Sequence, residues 1–147
     1  MRKIKFRGWD EKEKRMYSPK ELADLAGLWF EQSEDGSLEI SLIEDSYGCR
    51  RQFKKMQYTG LKDKNGVEIY EGDLLIYADN TTPEQIFEVK FLNRRGGFVF
   101  RELYNPIFEG SDLPEWDDVI LGQNAWDGWE IADEAKVIGN VFEGVDK

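Results

Sequence analysis

The stretch from Met56 to Asp73, MQYTGLKDKNGVEIYEGD, constrains the fold more than any other part of the chain. Asn65-Gly66 is the strongest short hairpin signal a sequence offers, because both residues tolerate the positive φ that a two-residue turn demands. An extended segment, Arg50 to Tyr58, leads into it. Val67, Ile69 and Tyr70 form the returning strand. Gly72-Asp73 then introduces the apolar run Leu74-Leu75-Ile76-Tyr77. A chain that reverses this tightly between apolar segments is built from short antiparallel strands.

The same pattern continues downstream. Ile86 to Leu92 alternates, with Ile86, Glu88 and Lys90 on one side and Phe87, Val89 and Phe91 on the other. Arg94-Arg95-Gly96-Gly97 reads as a turn. Phe98 to Tyr104 is the next strand, with Phe98 and Phe100 on one face. Val119-Ile120-Leu121 reads as a short strand. Ala135 to Phe142 is a last strand expected to close a sheet. Short strands at this spacing predict a small antiparallel barrel or sandwich over residues 50–147, with an SH3-like barrel as the expected form.

Residues 1–49 have a different character and predict an α+β portion. In Lys3-Ile4-Lys5-Phe6-Arg7 charge and apolar side chains alternate, which places Ile4 and Phe6 toward a core. Arg15-Met16-Tyr17 is the expected return of a hairpin. Ser18, Pro19 and Glu21 spell a capping box with proline in the first helical position. Leu22, Leu25, Ala26 and Trp29 follow at helical spacing, so a helix is expected to run to about Gln32 despite Gly27. Leu38, Ile40 and Leu42 alternate as a further strand. The fold class is therefore mainly β, α+β overall, with a boundary near residue 49.

At 147 residues, with 40% apolar and 14% aromatic content, the chain can bury a core without disulfide or metal. Cys49 is the one cysteine, so an internal disulfide is excluded. With no apolar run long enough to span a bilayer and no apolar signal core, the expected compartment is the cytoplasm. The net charge of −10 is uneven. Residues 1–20 carry eight Lys and Arg against three acids, whereas residues 102–147 carry two against twelve. A basic head and an acidic tail attract each other, within one chain or between copies.

Three blocks stand in order along the chain: Ile4-Lys5-Phe6-Arg7-Gly8-Trp9-Asp10, the stretch from Met56 to Asp73, and Val137-Ile138-Gly139-Asn140-Val141-Phe142-Glu143. Together they resemble the YopX-like family of phage and prophage proteins. The resemblance implies a largely β architecture and an origin in a temperate phage or prophage, and no activity or catalytic residues. Separately, Glu71-Gly72-Asp73 ahead of an apolar strand is similar to the strand start of SH3-like barrels.

The sequence has no histidine. This removes the commonest general base, His-based triads and every His-containing zinc site, and a single cysteine removes a Cys₄ site. Neither a phosphate-binding P-loop nor a dinucleotide fingerprint is present. Asp112, Glu115, Asp117 and Asp118 crowd one segment, but their spacing matches no EF-hand loop, and such runs are usually solvated. Asp63 and Asp73 suit turn and strand-start roles better than a catalytic pair. No catalytic residue, metal or cofactor is expected, and the chain reads as a non-enzyme; the alternative on this side is a carboxylate-dependent enzyme in which these acids hold Mg²⁺ or Ca²⁺ through oxygen ligands.

Two binding readings remain. Trp116, Trp126 and Trp129, with Asp117 and Asp118, form a tryptophan-bearing acidic segment suited to a protein partner or to a second copy. Lys3, Lys5 and Arg7 with Trp9, and Arg50, Arg51, Lys54 and Lys55 with Phe53 and Tyr58, interleave basic and aromatic side chains as nucleic-acid surfaces do. The overall negative charge opposes the second reading, so a non-catalytic protein-interaction role is the leading expectation.

Overall fold

The computed structural model describes residues 3–25, 27–32, 34, 38–43, 50–78, 84–92, 97–104, 118–120 and 132–145. Among them are β1 (Phe6–Asp10), β2 (Arg15–Tyr17), α1 (Pro19–Asp24), β3 (Leu28–Gln32), β4 (Leu38–Ile43), β5 (Arg50–Lys62), β6 (Glu68–Tyr70), β7 (Asp73–Tyr77), β8 (Gln85–Leu92), β9 (Gly97–Tyr104), β10 (Asp118–Ile120), β11 (Lys136–Asn140) and β12 (Gly144–Val145). The chain is mainly β, and its strand pairs are antiparallel. It divides into two compact units, Met1–Tyr58 and Thr59–Lys147, so the first unit extends beyond residue 49 to take in the opening part of β5.

In the first unit the sheet runs β2-β1-β5-β4-β3. Its core is Tyr17, Leu22, Ile40, Leu42 and Phe53, with Phe6, Leu25 and Leu28 packed against it. The rings of Tyr17 and Phe53 meet edge to face at 5.3 Å, an arrangement worth about 1 kcal/mol beyond the area buried. Ile4, expected in the core, is 70% exposed. The β1–β5 ladder starts at Phe6, opposite Gln57, and Lys5 extends it by a carbonyl that accepts from Tyr58 N, so Ile4 lies past its end.

The capping box forms as the sequence predicts. Glu21 N donates to Ser18 Oγ and Ser18 N to the Glu21 side chain. The helix that follows is six residues long and does not reach Gln32. Leu25 leaves it in an extended conformation, Gly27 takes φ +80°, and β3 follows immediately. The five-residue ladder of β3 with β4 outweighs weak helical periodicity, and Gly27 supplies the left-handed step that breaks the helix.

In the second unit the sheet runs β10-β9-β8-β7-β11-β12. Ile69, Leu75, Phe87, Val89, Phe98, Phe100, Ala132 and Ala135 form its buried core. Among the described residues the strand order is an open path, and no barrel closes. β11 does not close a sheet either. It pairs β7 on one side and the two-residue β12 on the other.

The hairpin that joins β5 to β6 departs from the expected two-residue turn. Gly66 N donates to Asp63 O at 3.0 Å and Asp63 N to Val67 O at 2.8 Å, which closes a three-residue loop. Gly66 alone in this loop has a positive φ, +77°; Asn65 does not. This is a type I turn followed by a left-handed glycine, and it selects Gly66 rather than the Asn-Gly pair.

Candidate functional site

The pairing of β1 with β5 sorts the basic residues onto two faces. Arg7 lies opposite Met56 and Trp9 opposite Lys54, while Gly8 lies opposite Lys55 and Asp10 opposite Phe53. Side chains alternate along a strand, so Arg7, Trp9 and Lys54 share one face. Lys55 and Arg51 fall on the other, the side of the core. Arg7 Nη2 donates to Met56 Sδ at 3.3 Å, and Lys5 Nζ stands 4.7 Å from the centroid of the Tyr58 ring. Lys3 and Lys54 are exposed, and Arg50 opens β5. Trp9 is 5% exposed, which leaves no ring face for a base to stack on.

Arg51 is bound into the fold. Its Nε lies 3.1 Å from Asp10 Oδ2, a close ionic contact without hydrogen-bond alignment. Its Nη1 lies 3.1 Å from Glu13 Oε1. Asp10 is fully buried, and its Oδ1 accepts from the backbone N–H of Lys12 and Glu13 at 2.9 and 3.2 Å. Glu13 Oε2 accepts from the Tyr17 hydroxyl at 2.7 Å. That hydrogen bond, with help from Arg51, lowers the Glu13 carboxyl below its ordinary value, and it raises the Tyr17 phenol. The network clamps the β1–β2 turn to β5.

The two other aspartates singled out in the sequence also serve the backbone. Asp63 Oδ1 accepts from Asn65 N and Val67 N at 2.8 and 2.9 Å, and its Oδ2 from Val137 N at 2.9 Å. Asp73 Oδ2 accepts from Tyr70 N at 2.8 Å. Among the described residues no group of three or more Cys, Asp or Glu is placed to hold a metal ion. Nor is any helix there long and apolar enough to cross a membrane.

Comparison with known proteins places this geometry in a family. A family model described as YopX protein matches residues 5–145. The chain belongs to the YopX family. It is also similar to a solved structure, protein EF1440 from Enterococcus faecalis, at 26% identity and a TM-score of 0.54, over 97% of this chain and 96% of that one. No curated protein matches it. The YopX match spans the Asp10 and Asp63 turns.

Of the tryptophan-bearing segment, Trp116, Asp117, Trp126 and Trp129 lie outside the described residues, as do Asp112, Glu115, Arg94, Arg95 and Cys49. Asp118 opens β10 opposite Arg101. The structure adds a surface that sequence reasoning missed. Among the described residues β3 is an edge strand, and its Phe30 is 56% exposed. Glu31 stands directly opposite Glu39 of β4, and Glu39 accepts from Gln52 Nε2 at 3.2 Å. The signal was present in Leu28-Trp29-Phe30-Glu31-Gln32, whose apolar residues satisfy a helical repeat as readily as a strand.

Proposed function

We propose that this YopX-family chain is a non-catalytic protein-interaction module of phage or prophage origin, acting in the cytoplasm of a bacterial host. The observation that carries the reading is the division of labour among side chains. The buried acids Asp10, Asp63 and Asp73 are all engaged in holding backbone N–H groups, whereas large apolar side chains stand at the surface: Ile4 at 70%, Phe30 at 56% and Leu103 at 47% exposure. Chemistry needs poised polar groups in a recess, and association needs accessible apolar surface with charge around it. Trp116, Trp126 and Trp129, with Asp117 and Asp118, are the proposed contact residues for the partner.

An affinity pull-down from host cells carrying the element, run with and without nuclease, tests this. The expected result is a protein captured regardless of nuclease, and lost when Trp126 and Trp129 are changed to alanine with thermal stability unchanged. A large drop in melting temperature for that variant would assign the two tryptophans to the core and end their interface role.

One observation favours nucleic-acid binding as a second reading: Arg7 and Lys54 share a sheet face, with Lys5 beside them over Tyr58. Absence of binding to a polyanion at low salt, where phosphate contacts are strongest, ends it.

A further inference from the structure

We propose that Asn65 is a site of spontaneous deamidation, that Asp63 holds the reaction back in the folded turn, and that the product loosens the turn from β11. The proposal goes beyond the interaction reading and needs no partner. It begins with the pair Asn65-Gly66. The backbone nitrogen that follows an asparagine can attack that residue's side-chain carbonyl, and a Cβ on the following residue crowds the approach. Glycine has none and turns freely about its own φ. Asn65 is the one asparagine in the sequence followed by glycine; the others precede Thr, Arg, Pro, Ala and Val. Asn65 and Gly66 are both exposed, and a Cβ at Gly66 would meet nothing within 4 Å. Among the described residues no partner holds the Asn65 carboxamide. Asn140 is the contrast. It is buried, its Oδ1 accepts from Phe142 N and Glu143 N, and its Nδ2 donates to Glu143.

The step needs only water. Gly66 N gives up its proton to hydroxide and bonds to Asn65 Cγ. The bond from Cγ to Nδ2 breaks, and that nitrogen leaves as ammonia with a proton from water. Water then opens the cyclic imide. Opening at Cγ leaves aspartate. Opening at the main-chain carbonyl leaves isoaspartate, in which the chain runs on through the side chain and is longer by a methylene.

The folded turn opposes this step. Gly66 N–H is bonded to Asp63 O at 3.0 Å, so its proton is not free to leave and its nitrogen is not free to swing toward Cγ. Asp63 Oδ1 fixes the residues on both sides, accepting from Asn65 N and Val67 N at 2.8 and 2.9 Å. Reaction therefore waits on a local opening of the turn, which an exposed hairpin end undergoes far more often than a core. The product then undoes the protection. Aspartate sets a second carboxylate close along the chain to buried Asp63. The extra methylene of isoaspartate stretches a loop that the bond from Asp63 N to Val67 O closes at 2.8 Å. The same turn holds the β11 region, through Asp63 Oδ2 to Val137 N at 2.9 Å and Lys64 N to Ala135 O at 3.0 Å. Loosening the turn loosens both links.

Warm, mildly alkaline incubation of the full chain, followed by peptide mass mapping and enzymatic labelling of isoaspartate, tests the proposal. Asn65 is expected to convert ahead of every other asparagine. Its rate, divided by that of an unstructured peptide of residues 61–69, should equal the open fraction read from hydrogen exchange at the Gly66 amide. Asp63→Ala should speed conversion about tenfold, as loss of the two bonds to Oδ1 predicts. The exchange comparison holds whether or not that variant folds. Arg51→Met, which acts on the first unit, should leave the rate unchanged. The converted chain, separated by anion exchange, should exchange its Val137 amide faster than the parent. Conversion first at another asparagine, or a rate unrelated to Gly66 exchange, would overturn the site. No acceleration in folded Asp63→Ala, or equal acceleration in Arg51→Met, would overturn its control by Asp63. Unchanged Val137 exchange in the converted chain would overturn the loosening.

Discussion

Two hairpin turns, one in each unit, solve the same problem with different parts. In both, a buried aspartate sits at the start of the turn. In both, its Oδ1 accepts two backbone N–H groups: Lys12 and Glu13 for Asp10, Asn65 and Val67 for Asp63. In both, Oδ2 reaches a distant strand, and one turn residue is left-handed. The parts then diverge. Asp10 reaches the guanidinium of Arg51, whereas Asp63 reaches the backbone N–H of Val137. Lys14 holds the left-handed position in the first turn, at φ +55°, and Gly66 holds it in the second. The first turn is thus stabilised by charge and carries backbone strain; the second is stabilised by neutral donors and carries none.

Breaking the charged reach has the largest expected effect. Arg51→Met leaves the Asp10 carboxylate fully buried without its cation, at a cost of about 3–5 kcal/mol. Urea unfolding should show this shift. The double variant Asp10→Asn with Arg51→Met should cost less than the single one, since no charge is then left unpaired. If the double variant costs the sum of the two single ones, the pair is uncoupled and the comparison between the turns fails.

Asp63→Asn tests the neutral reach and ranks second. One oxygen still serves the turn, but an amide nitrogen then faces either Val137 N–H or the turn donors. The expected loss is about 2 kcal/mol, for unsatisfied buried donors. Faster hydrogen exchange at the Val137 amide would locate the loss on the link to β11, and unchanged exchange there would refute it.

How far these turns are legible in the sequence follows from the distances involved. Asp63, Gly66 and the strands around them lie within a few residues of one another, so turn chemistry reveals them. The same holds for the capping box of Ser18 and Glu21. The reach from Asp10 to Arg51 crosses 41 positions and that from Asp63 to Val137 crosses 74; no local pattern announces either. The misread of β3 has the same origin. Leu28 and Phe30 carry a period-2 signal too short to outweigh the helical spacing of Leu22 and Leu25. Only pairing with β4, supplied by residues farther along the chain, selects the strand. Among the candidate site residues, the sequence grouped Lys5, Arg7, Lys54 and Arg51 by type. Register alone separates them onto opposite faces and commits Arg51 to the turn.

The two left-handed positions give the smaller effects, of opposite sign. At Gly66 a Cβ would meet nothing within 4 Å, so Gly66→Ala carries conformational cost alone, about 1 kcal/mol. At Lys14 the substitution runs the other way. Lys14→Gly removes the cost of a left-handed non-glycine residue, about 1–2 kcal/mol. It adds glycine's larger entropy in the unfolded chain, about 0.5–1 kcal/mol. It also deletes the exposed ion pair with Glu11, 3.0 Å long with the Lys14 side chain 70% accessible, and such pairs contribute little. The balance is a stabilisation of about 0.5 kcal/mol, read as a small rise in the urea midpoint with an unchanged slope. A fall instead would mean that the Lys14 side chain holds the turn, and that the first turn's left-handed residue is selected for its contacts and not merely tolerated.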